Sequence, residues 1–399
     1  MKQIFYILCV LPLAVMAMSN GRNTESLLRD GSNRFTAQMF SEVTKTNPGK
    51  SVILSAISVM PPLAELALAS VGDSHDELLQ VLGTPNDDTT KAVFSYANKE
   101  LKSAEGVTIK TANKIYIGKD YELNKDFAAV SKETFDSEIK NIDFGENAKA
   151  ATEINTWVED QTNHLIKDLV DPRSLGPDTK AVLVNAIYFK GTWADPFEKE
   201  STKDQDFHVN RNKVIPVPMM YRKGHYDYVE SDELKSQIIE IPYKGYQASL
   251  VVVLPRDVEG ILELEEKLKD PQVLDKVMKS SSRPEVIVHM PRFKIETTTN
   301  LKDVLIKMNV SKLFKSDEAK LHHLLKNADD LYIDSALQKA FIEVNEFGTE
   351  AAAANVFHAV GASFVLNPEE PKVFNADRPF YFAIKMNSLT LFNGVMYGS

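Results

Sequence analysis

The sequence of 399 residues contains one cysteine, Cys9, which lies in an apolar stretch at the N-terminus. If that stretch is a cleaved secretion signal, the mature chain has no thiol. This excludes disulfides, a cysteine nucleophile, a thiolate metal site and redox chemistry. A secreted chain without disulfides depends on its hydrophobic core, and the ~380 residues that remain are enough to bury one.

Enzyme motifs are also missing from the sequence. It has no nucleophile elbow, zinc-binding His-Glu-x-x-His, P-loop or dinucleotide-binding Gly-rich fingerprint. His322 and His323 come nearest to a metal motif, but adjacent side chains diverge on a helix or strand, so we predict that both lie on the surface. No metal or cofactor is predicted, although serines and histidines that meet only in space leave a catalytic triad open.

Long basic runs are absent, and the formal net charge is −10. This charge opposes binding to nucleic acid and to acidic membranes. The composition is otherwise ordinary for a soluble globular protein, with 43% hydrophobic and 26% charged residues. The length allows one large domain or two to three small ones.

The apolar stretch at the N-terminus reads as a secretion signal. Lys2 precedes the apolar segment Ile4–Val15, and a small-residue cleavage site ends at Ala17. We therefore predict a signal peptide at residues 1–17 and a secreted chain that begins at Met18. An uncleaved anchor is the alternative, but the stretch is too short to span a bilayer comfortably.

Hydrophobic periodicity indicates the fold class. Apolar residues at helical spacing run from Leu27 to about Leu82 and from Ala150 to Leu169, and Gly191 with Pro196 marks a predicted turn region. The strand-like runs are Ala181–Phe189, Ser249–Leu254, Val286–Met290, Phe341–Val344 and Phe380–Ile384. The first is long and apolar apart from Asn185, which predicts a central strand buried on both faces. Helices early and strands late favour an α+β fold.

An Ala-rich segment, Glu346–Val356, follows the apolar, strand-like run Ala340–Asn345. Alanine is a strong helix former, so the segment disagrees with the run that it extends. Such a conflict predicts a segment that changes conformation. The residues from about Asn355 to Val373 have no regular period but several apolar side chains, which indicates a functional loop that attracts a binding partner.

Together these segments resemble the serpin family over nearly the whole mature chain, and in particular the insect haemolymph serpins of antitrypsin or alaserpin type. The motifs that carry the resemblance are Leu54–Ser58, Asn113–Ile117, Ile154–Val158, Val184–Trp193, Ile241–Tyr243, Pro291–Phe293, Asp377–Phe380 and Leu391–Gly394. Ala56 departs from the family, which usually has proline there, and the C-terminus lacks the family's usual proline.

The resemblance implies an α+β serpin domain over residues 18–399, with three β-sheets, about eight or nine helices and an exposed reactive-centre loop at about 347–373. It implies a monomeric inhibitor of extracellular serine proteases rather than an enzyme. In the family's mechanism the protease attacks the loop and forms an acyl-enzyme. The cut loop then enters the main sheet as an extra strand, releases stored strain and traps the protease.

The resemblance also implies a hinge at the start of this loop. The hinge residues are Glu346, Phe347, Gly348, Thr349, Glu350, Ala351, Ala352, Ala353 and Ala354. Glycine lets the backbone turn, threonine suits a strand, and alanines lose no side-chain entropy on ordering. Phe347 stands where the family usually has a polar or charged residue, which leaves open whether it only packs or slows insertion.

Side chains alternate along an inserted strand, so counting by twos from Thr349 predicts which residues face inward. These residues are Ala351, Ala353, Asn355 and Phe357. Asn355 is the weak point, because a buried amide needs hydrogen-bond partners. Glu350 alternates outward.

The family's spacing from the hinge places the cut bond between Ala362 and Ser363. The flanking residues of this bait are Val360, Gly361 and Phe364. Alanine before the bond favours an elastase-like protease with a small apolar pocket. Three alternatives stay open: a chymotrypsin-like target that cuts after Phe364 or Leu366, cross-class inhibition of papain-like cysteine proteases, and a serpin that does not inhibit.

Matching to the family implies a polar cluster where the main sheet opens and a tryptophan at the top of that sheet. The cluster contains Ser55, Ser58 and Asn185, with Gln338 where the family often has histidine. The tryptophan is Trp193. It could also be an ordinary core aromatic, and the two interpretations do not conflict. Asn309 belongs to the one glycosylation sequon in the sequence and is a candidate for modification.

Overall fold

The computed structural model describes residues 10–101, 105–327, 330–349 and 370–398, without the side chains of residues 10–22. The α-helices in these ranges are α1 (Val10–Thr46), α2 (Ala56–Ala69), α3 (Asp73–Leu82), α4 (Asp87–Glu100), α5 (Lys125–Phe135), α6 (Asn147–Gln161), α7 (Ile261–Lys267), α8 (Val273–Met278) and α9 (Leu301–Lys307). The strands are β1 (Val52–Leu54), β2 (Val107–Gly118), β3 (Glu138–Ile142), β4 (Ala181–Thr192), β5 (Lys203–Asn210), β6 (Lys213–His225), β7 (Asp227–Ser231), β8 (Ser236–Pro242), β9 (Ala248–Pro255), β10 (Glu285–Pro291), β11 (Phe293–Asn300), β12 (Ser335–Asn345), β13 (Gly348–Thr349), β14 (Lys372–Asn375), β15 (Phe380–Met386) and β16 (Leu389–Met396).

The strands form three sheets. The main sheet has the order β11-β12-β13-β4-β2-β3, the second sheet β1-β16-β15-β9-β8-β7, and the small sheet β14-β10-β6-β5. In the main sheet β12 and β4 pair in parallel with each other over residues 335–340 and 182–187, and β13 lies between them at one end. The three sheets and the separate helices confirm the predicted α+β class.

The predicted central strand is β4, which has two buried faces. Residues 181–189 are all buried. Leu183, Ile187 and Phe189 pack into the large core that includes α2, and Val184 packs into a smaller core with residues of α6. This double burial explains why the run is apolar without alternation. Helix α2 contacts β2 and β4 of the main sheet and β16 of the second sheet, and so lies between the two sheets.

Two local predictions are wrong. Gly191 lies within β4 rather than in a turn. A glycine is needed there because a Cβ would come 2.7 Å from the ring of Tyr243, so only glycine fits the packed strand. The helical pattern from Ala150 stops at Gln161 instead of Leu169. Asn163 and His164 have φ values of 52° and 60°, which no α-helix accommodates. The apolar residues that follow are buried in an irregular segment against the smaller core.

Candidate functional site

The predicted hinge begins in the turn after β12, with Glu346 and Phe347, and its next two residues already belong to the main sheet. Gly348 and Thr349 form β13, which pairs antiparallel with Val344 and Asn345 of β12 and with the end of β4. The predicted hinge therefore enters the main sheet between β12 and β4, the two strands that loop insertion separates in the family's mechanism. The remaining predicted loop residues lie outside the described part of the chain: Glu350, Ala351, Ala352, Ala353, Ala354, Asn355, Phe357, Val360, Gly361, Ala362, Ser363, Phe364 and Leu366.

Gly348 is required at its position for two reasons. Its φ of +148° is a conformation that side chains disfavour, and a Cβ would lie 2.0 Å from the carbonyl oxygen of Gly191 and 2.8 Å from Cα of Thr192. Sequence reasoning gave this glycine a turning role. The structure adds that the hinge backbone approaches β4 so closely that no side chain fits.

Thr349 points into the core and is fully buried. Its Oγ1 lies 2.6 Å from the hydroxyl of Tyr243, which is also buried. Burial raises the pKa of Tyr243, so the phenol keeps its proton for this hydrogen bond. The Tyr243 ring stacks on Trp193 with centroids 4.5 Å apart and an interplanar angle of 11°. The hinge threonine is therefore anchored to an aromatic pair.

The segment from Trp193 to Phe197, which we term the hinge seat, binds the backbone of the hinge. Trp193 donates from its backbone N to the Phe347 carbonyl (3.0 Å) and from Nε1 to the Asn345 carbonyl (2.9 Å). Phe197 N donates to the Glu346 carbonyl (2.8 Å). Three successive carbonyls are thus fixed by one segment, and Trp193 is both a core aromatic and a hinge contact.

The carboxylate of Glu346 is buried beside two partners. The residue is 3% exposed, and its Oε1 accepts a hydrogen bond from Thr202 Oγ1 at 2.8 Å. The guanidinium of Arg292 lies 3.8 Å from the same oxygen. A buried charge is tolerated only with such compensation, so this end of the hinge has a defined place. Phe347, by contrast, is only half-buried.

The polar residues predicted at the opening of the sheet meet in one buried cluster. Gln338 Nε2 donates to the Ser55 carbonyl (2.7 Å), to Asn185 Oδ1 (2.7 Å) and to Ser58 Oγ (3.2 Å), and its Oε1 accepts from Ser55 N (3.2 Å). Asn185 Nδ2 donates to the Ser58 carbonyl (2.9 Å) and to Asn113 Oδ1 (2.6 Å). Gln338 and Asn185 are partners in the β12–β4 pairing, so the cluster joins the two strands to the start of α2.

The pattern of the family described as Serpin (serine protease inhibitor) matches residues 30–398. The chain belongs to the serpin family. Serpins are protease inhibitors rather than catalytic enzymes, and the predicted resemblance is confirmed.

Insect serpins are similar to this one over nearly their whole length. Alaserpin of Manduca sexta is 53% identical over 388 residues, which cover 97% of this chain and 98% of alaserpin. Antitrypsin and antichymotrypsin-2 of Bombyx mori are 51% and 52% identical, and the matches cover 98% and 94% of this chain and 98% and 99% of theirs. The solved structure of Serpin48 from Tenebrio molitor has a TM-score of 0.85 at 34% identity, covering 93% of this chain and 98% of its own.

The remaining predicted residues of this serpin lie on its surface. His322 and His323 are exposed, and so is Asn309 in the turn after α9. Within the described ranges, no group of three His, Cys, Asp or Glu residues is placed to hold a metal ion. The described helices include none long and apolar enough to cross a membrane.

Sequence reasoning missed several residues that act on the hinge. Tyr243 stands out in the sequence only as part of a family motif, and its contact with Thr349 joins positions far apart in the chain. Thr202 and Phe197 carried no signal, because a hydrogen bond to a distant backbone leaves no periodic pattern. The Ile241–Tyr243 motif was the one available pointer.

Proposed function

We propose that this serpin is a secreted suicide-substrate inhibitor of extracellular serine proteases, cleaved at Ala362–Ser363. In this proposal residues 1–17 are the signal peptide, and residues 18–399 act as a monomer in a haemolymph-like fluid. The observation that carries the proposal is the position of β13 between β12 and β4. The first residues of the inserting strand are already in register there, so cleavage needs only to extend an existing strand.

The register of β13 predicts where each loop residue goes. Thr349 pairs with Gly191 on β4 and with Val344 on β12, both antiparallel. Continued by two residues, the same register places Ala351 between Phe189 and Ile342. Continued further, it places Ala353 between Ile187 and Ala340, and Phe357 between Leu183 and Ala336. These partners are buried and apolar, so small or apolar loop residues suit every one of these places.

The same register suggests a role for Asn355 in the inserted strand. Continued to this residue, it predicts a position between Asn185 and Gln338, the two amides that now hydrogen-bond to each other across the β12–β4 pair. Insertion separates that pair and removes their mutual hydrogen bond. An asparagine at this position supplies both a donor and an acceptor to the separated amides. Asn355 therefore serves to close the polar cluster rather than to obstruct insertion.

The chemistry follows from the family's mechanism. The protease serine oxygen bonds to the carbonyl carbon of Ala362, the peptide bond to Ser363 breaks, and the nitrogen of Ser363 leaves with a proton as a new N-terminus. The loop up to Ala362 stays joined to the protease as an ester. Insertion of the loop residues that follow Thr349 then carries the ester, with the attached protease, away from its starting position before water can cleave it.

The bait residues support an elastase-like target. The insect relatives named antitrypsin and antichymotrypsin-2 have nearly the same identity to this serpin, so overall similarity does not select the protease. The side chain before the cut bond does, because it fills the primary pocket. Ala362 suits a small apolar pocket, and residues 359–366 contain no basic side chain for a trypsin-like one.

Incubation of the mature protein with pancreatic elastase tests the proposal. We expect an SDS-stable complex together with a C-terminal peptide that begins at Ser363. A peptide that begins at Val365 would move the bait to Phe364 and indicate a chymotrypsin-like target. Complete cleavage without any complex would identify a substrate and overturn the inhibitor assignment. A parallel incubation with papain tests cross-class inhibition.

The exposed Asn309 supports a proposal of N-glycosylation at its sequon. The residue is exposed in the turn that follows α9, where its φ is +66°. Protein secreted from insect cells should lose mass on treatment with an N-glycosidase. Asn309→Gln should abolish that change in mass.

A further inference from the structure

We propose that Arg222 is a positioning residue for loop insertion, because it holds the hinge seat in place from the small sheet. The inference rests on the proposed inhibitory function. Arg222 belongs to β6, and its side chain is 25% exposed. Among hinge residues 346–349, which the structure describes, none hydrogen-bonds or pairs with Arg222, so we infer that its effect passes through the hinge seat.

The guanidinium of Arg222 contacts two consecutive residues of the hinge seat, Asp195 and Pro196. Nη1 of Arg222 donates to the Pro196 carbonyl at 2.6 Å, and Nη2 lies 3.3 Å from Oδ1 of Asp195. Both contacts are charge-assisted, and two contacts from one planar group fix orientation as well as distance. Proline lacks a backbone N–H, so its carbonyl is the one polar group through which Pro196 can be held.

These two residues lie between the residues that bind the hinge. Trp193 precedes them and holds the carbonyls of Asn345 and Phe347, and Phe197 follows them and holds the carbonyl of Glu346. Arg222 thus fixes the middle of a five-residue segment whose two ends fix the hinge. If this segment shifts by a few tenths of an ångström, three hinge hydrogen bonds change together.

The chemistry of the place favours arginine over lysine. Tyr226 lies beside the guanidinium, and burial raises its pKa to about 12, although Arg222 opposes that increase. The phenol is therefore neutral and does not pair with the cation as a phenolate. Lysine has one compact ammonium group and can reach either the carbonyl or the carboxylate, but it cannot hold both in a fixed plane.

Insertion depends on this placement because it begins at β13. Each loop residue that inserts after Thr349 adds one more strand pair to β13, so a displaced hinge slows the first steps of insertion. The acyl-enzyme then has more time to be hydrolysed before it is trapped. We expect the rate of attack on the bait to stay the same, because Arg222 acts through the carbonyls of residues 345–347, at the start of the loop.

The experiment compares Arg222→Met and Arg222→Lys with the parent protein, using pancreatic elastase as the probe. Arg211→Met is the matched control, because it removes an exposed arginine from the β5–β6 turn of the same small sheet. Denaturing gels give the ratio of cleaved to complexed serpin, and loss of intact serpin gives the rate of attack. Hydrogen exchange of the hinge-seat amides is measured on the free proteins.

We expect Arg222→Met to raise the ratio of cleaved to complexed serpin roughly fivefold, the factor for loss of one ordinary hydrogen bond, with the rate of attack unchanged. The ratio for Arg222→Lys should lie between those of the parent and Arg222→Met, and the ratio for Arg211→Met should equal that of the parent. Exchange at Trp193 and Phe197 should quicken only in the Arg222 variants. An unchanged ratio, or a lower rate of attack that accounts for the whole effect, would overturn the inference.

The hydrogen-exchange arm separates this inference from the function on which it rests. If the parent protein forms no complex with any protease, the inhibitory function fails, but faster exchange in Arg222→Met still supports the positioning role. If the parent forms complexes and exchange at the hinge seat is the same in all variants, the positioning role is wrong and the function stands.

Discussion

We predict that Glu65 makes the stability of this serpin depend on pH. It lies in α2, is fully buried, and neither carboxylate oxygen has a hydrogen bond of full geometry among the described residues. Burial raises its pKa from 4.5 to about 7, although the hydroxyls of Ser137 and Ser131 nearby favour the charged form. Burial and these two hydroxyls account for the shift, and no cation among the described residues contributes to it.

The magnitude follows from the two pKa values. The native state keeps the proton up to about pH 7, whereas the unfolded chain releases it near pH 4.5. The stabilising contribution of the neutral acid is therefore complete below pH 4.5 and is lost as the pH rises to about 7. The loss is about 1.4 kcal/mol per pH unit and about 3 kcal/mol in total, and it levels off above that pH.

Urea unfolding of the parent and of Glu65→Gln between pH 5 and pH 8 measures this effect, with Trp fluorescence and circular dichroism as coincident probes. Glutamine stays neutral, so the free energy of unfolding of the variant should fall by about 2 kcal/mol less over this range. His75 also contributes to the pH dependence. Burial lowers the pKa of His75, but the hydrogen bonds to Asp87 and Asp76 raise it by more, so the net shift is upward. The stability that His75 contributes is lost at higher pH in both proteins and cancels in the comparison.

Glu133→Gln is the control, since it makes the same change at an exposed position of α5. It should leave the pH dependence of the parent unchanged. The reasoning is refuted if Glu65→Gln and the parent lose stability in parallel between pH 5 and pH 8, because the native state would then hold the Glu65 side chain ionised at little cost.

Three further changes test the hinge and the sheet. Thr349→Arg should leave cleavage by elastase intact but abolish the SDS-stable complex, because a charge would be buried beside Tyr243; Thr349→Ser, which keeps the hydroxyl, should still trap the protease. Asn355→Leu should lower the free energy of unfolding of the cleaved form by about 1–3 kcal/mol, since the hydrogen bond that Gln338 and Asn185 lose on separation would not be replaced, and an unchanged melting temperature would contradict the predicted register. Gly191→Ala should destabilise the native protein by about 1–3 kcal/mol through overlap with the Tyr243 ring, whereas Gly176→Ala, which meets nothing within 4 Å, should unfold at the parent temperature in the same scan.

Local sequence patterns were reliable where one element carries its own signal. The apolar run at residues 181–189 identified a strand buried on both faces, and its burial confirms the interpretation. Family motifs identified the polar residues at the start of α2 and on the central strands. The pattern failed at residues 162–169, where apolar residues follow a helical spacing but pack in an irregular segment. Periodicity reports which side chains are buried, and it does not report the backbone that buries them.

The sequence by itself determined the fold class, the family and the composition of the hinge, because these depend on local propensity and on the order of motifs along the chain. The tertiary structure alone decided that Gly348 and Thr349 already lie in the main sheet, that Asn185 and Gln338 are strand partners, and that Arg222 holds the hinge seat. Each of these facts joins residues that are distant in the chain. Such contacts are set by the register of the sheets, and register is a property of the whole packed fold rather than of any one segment.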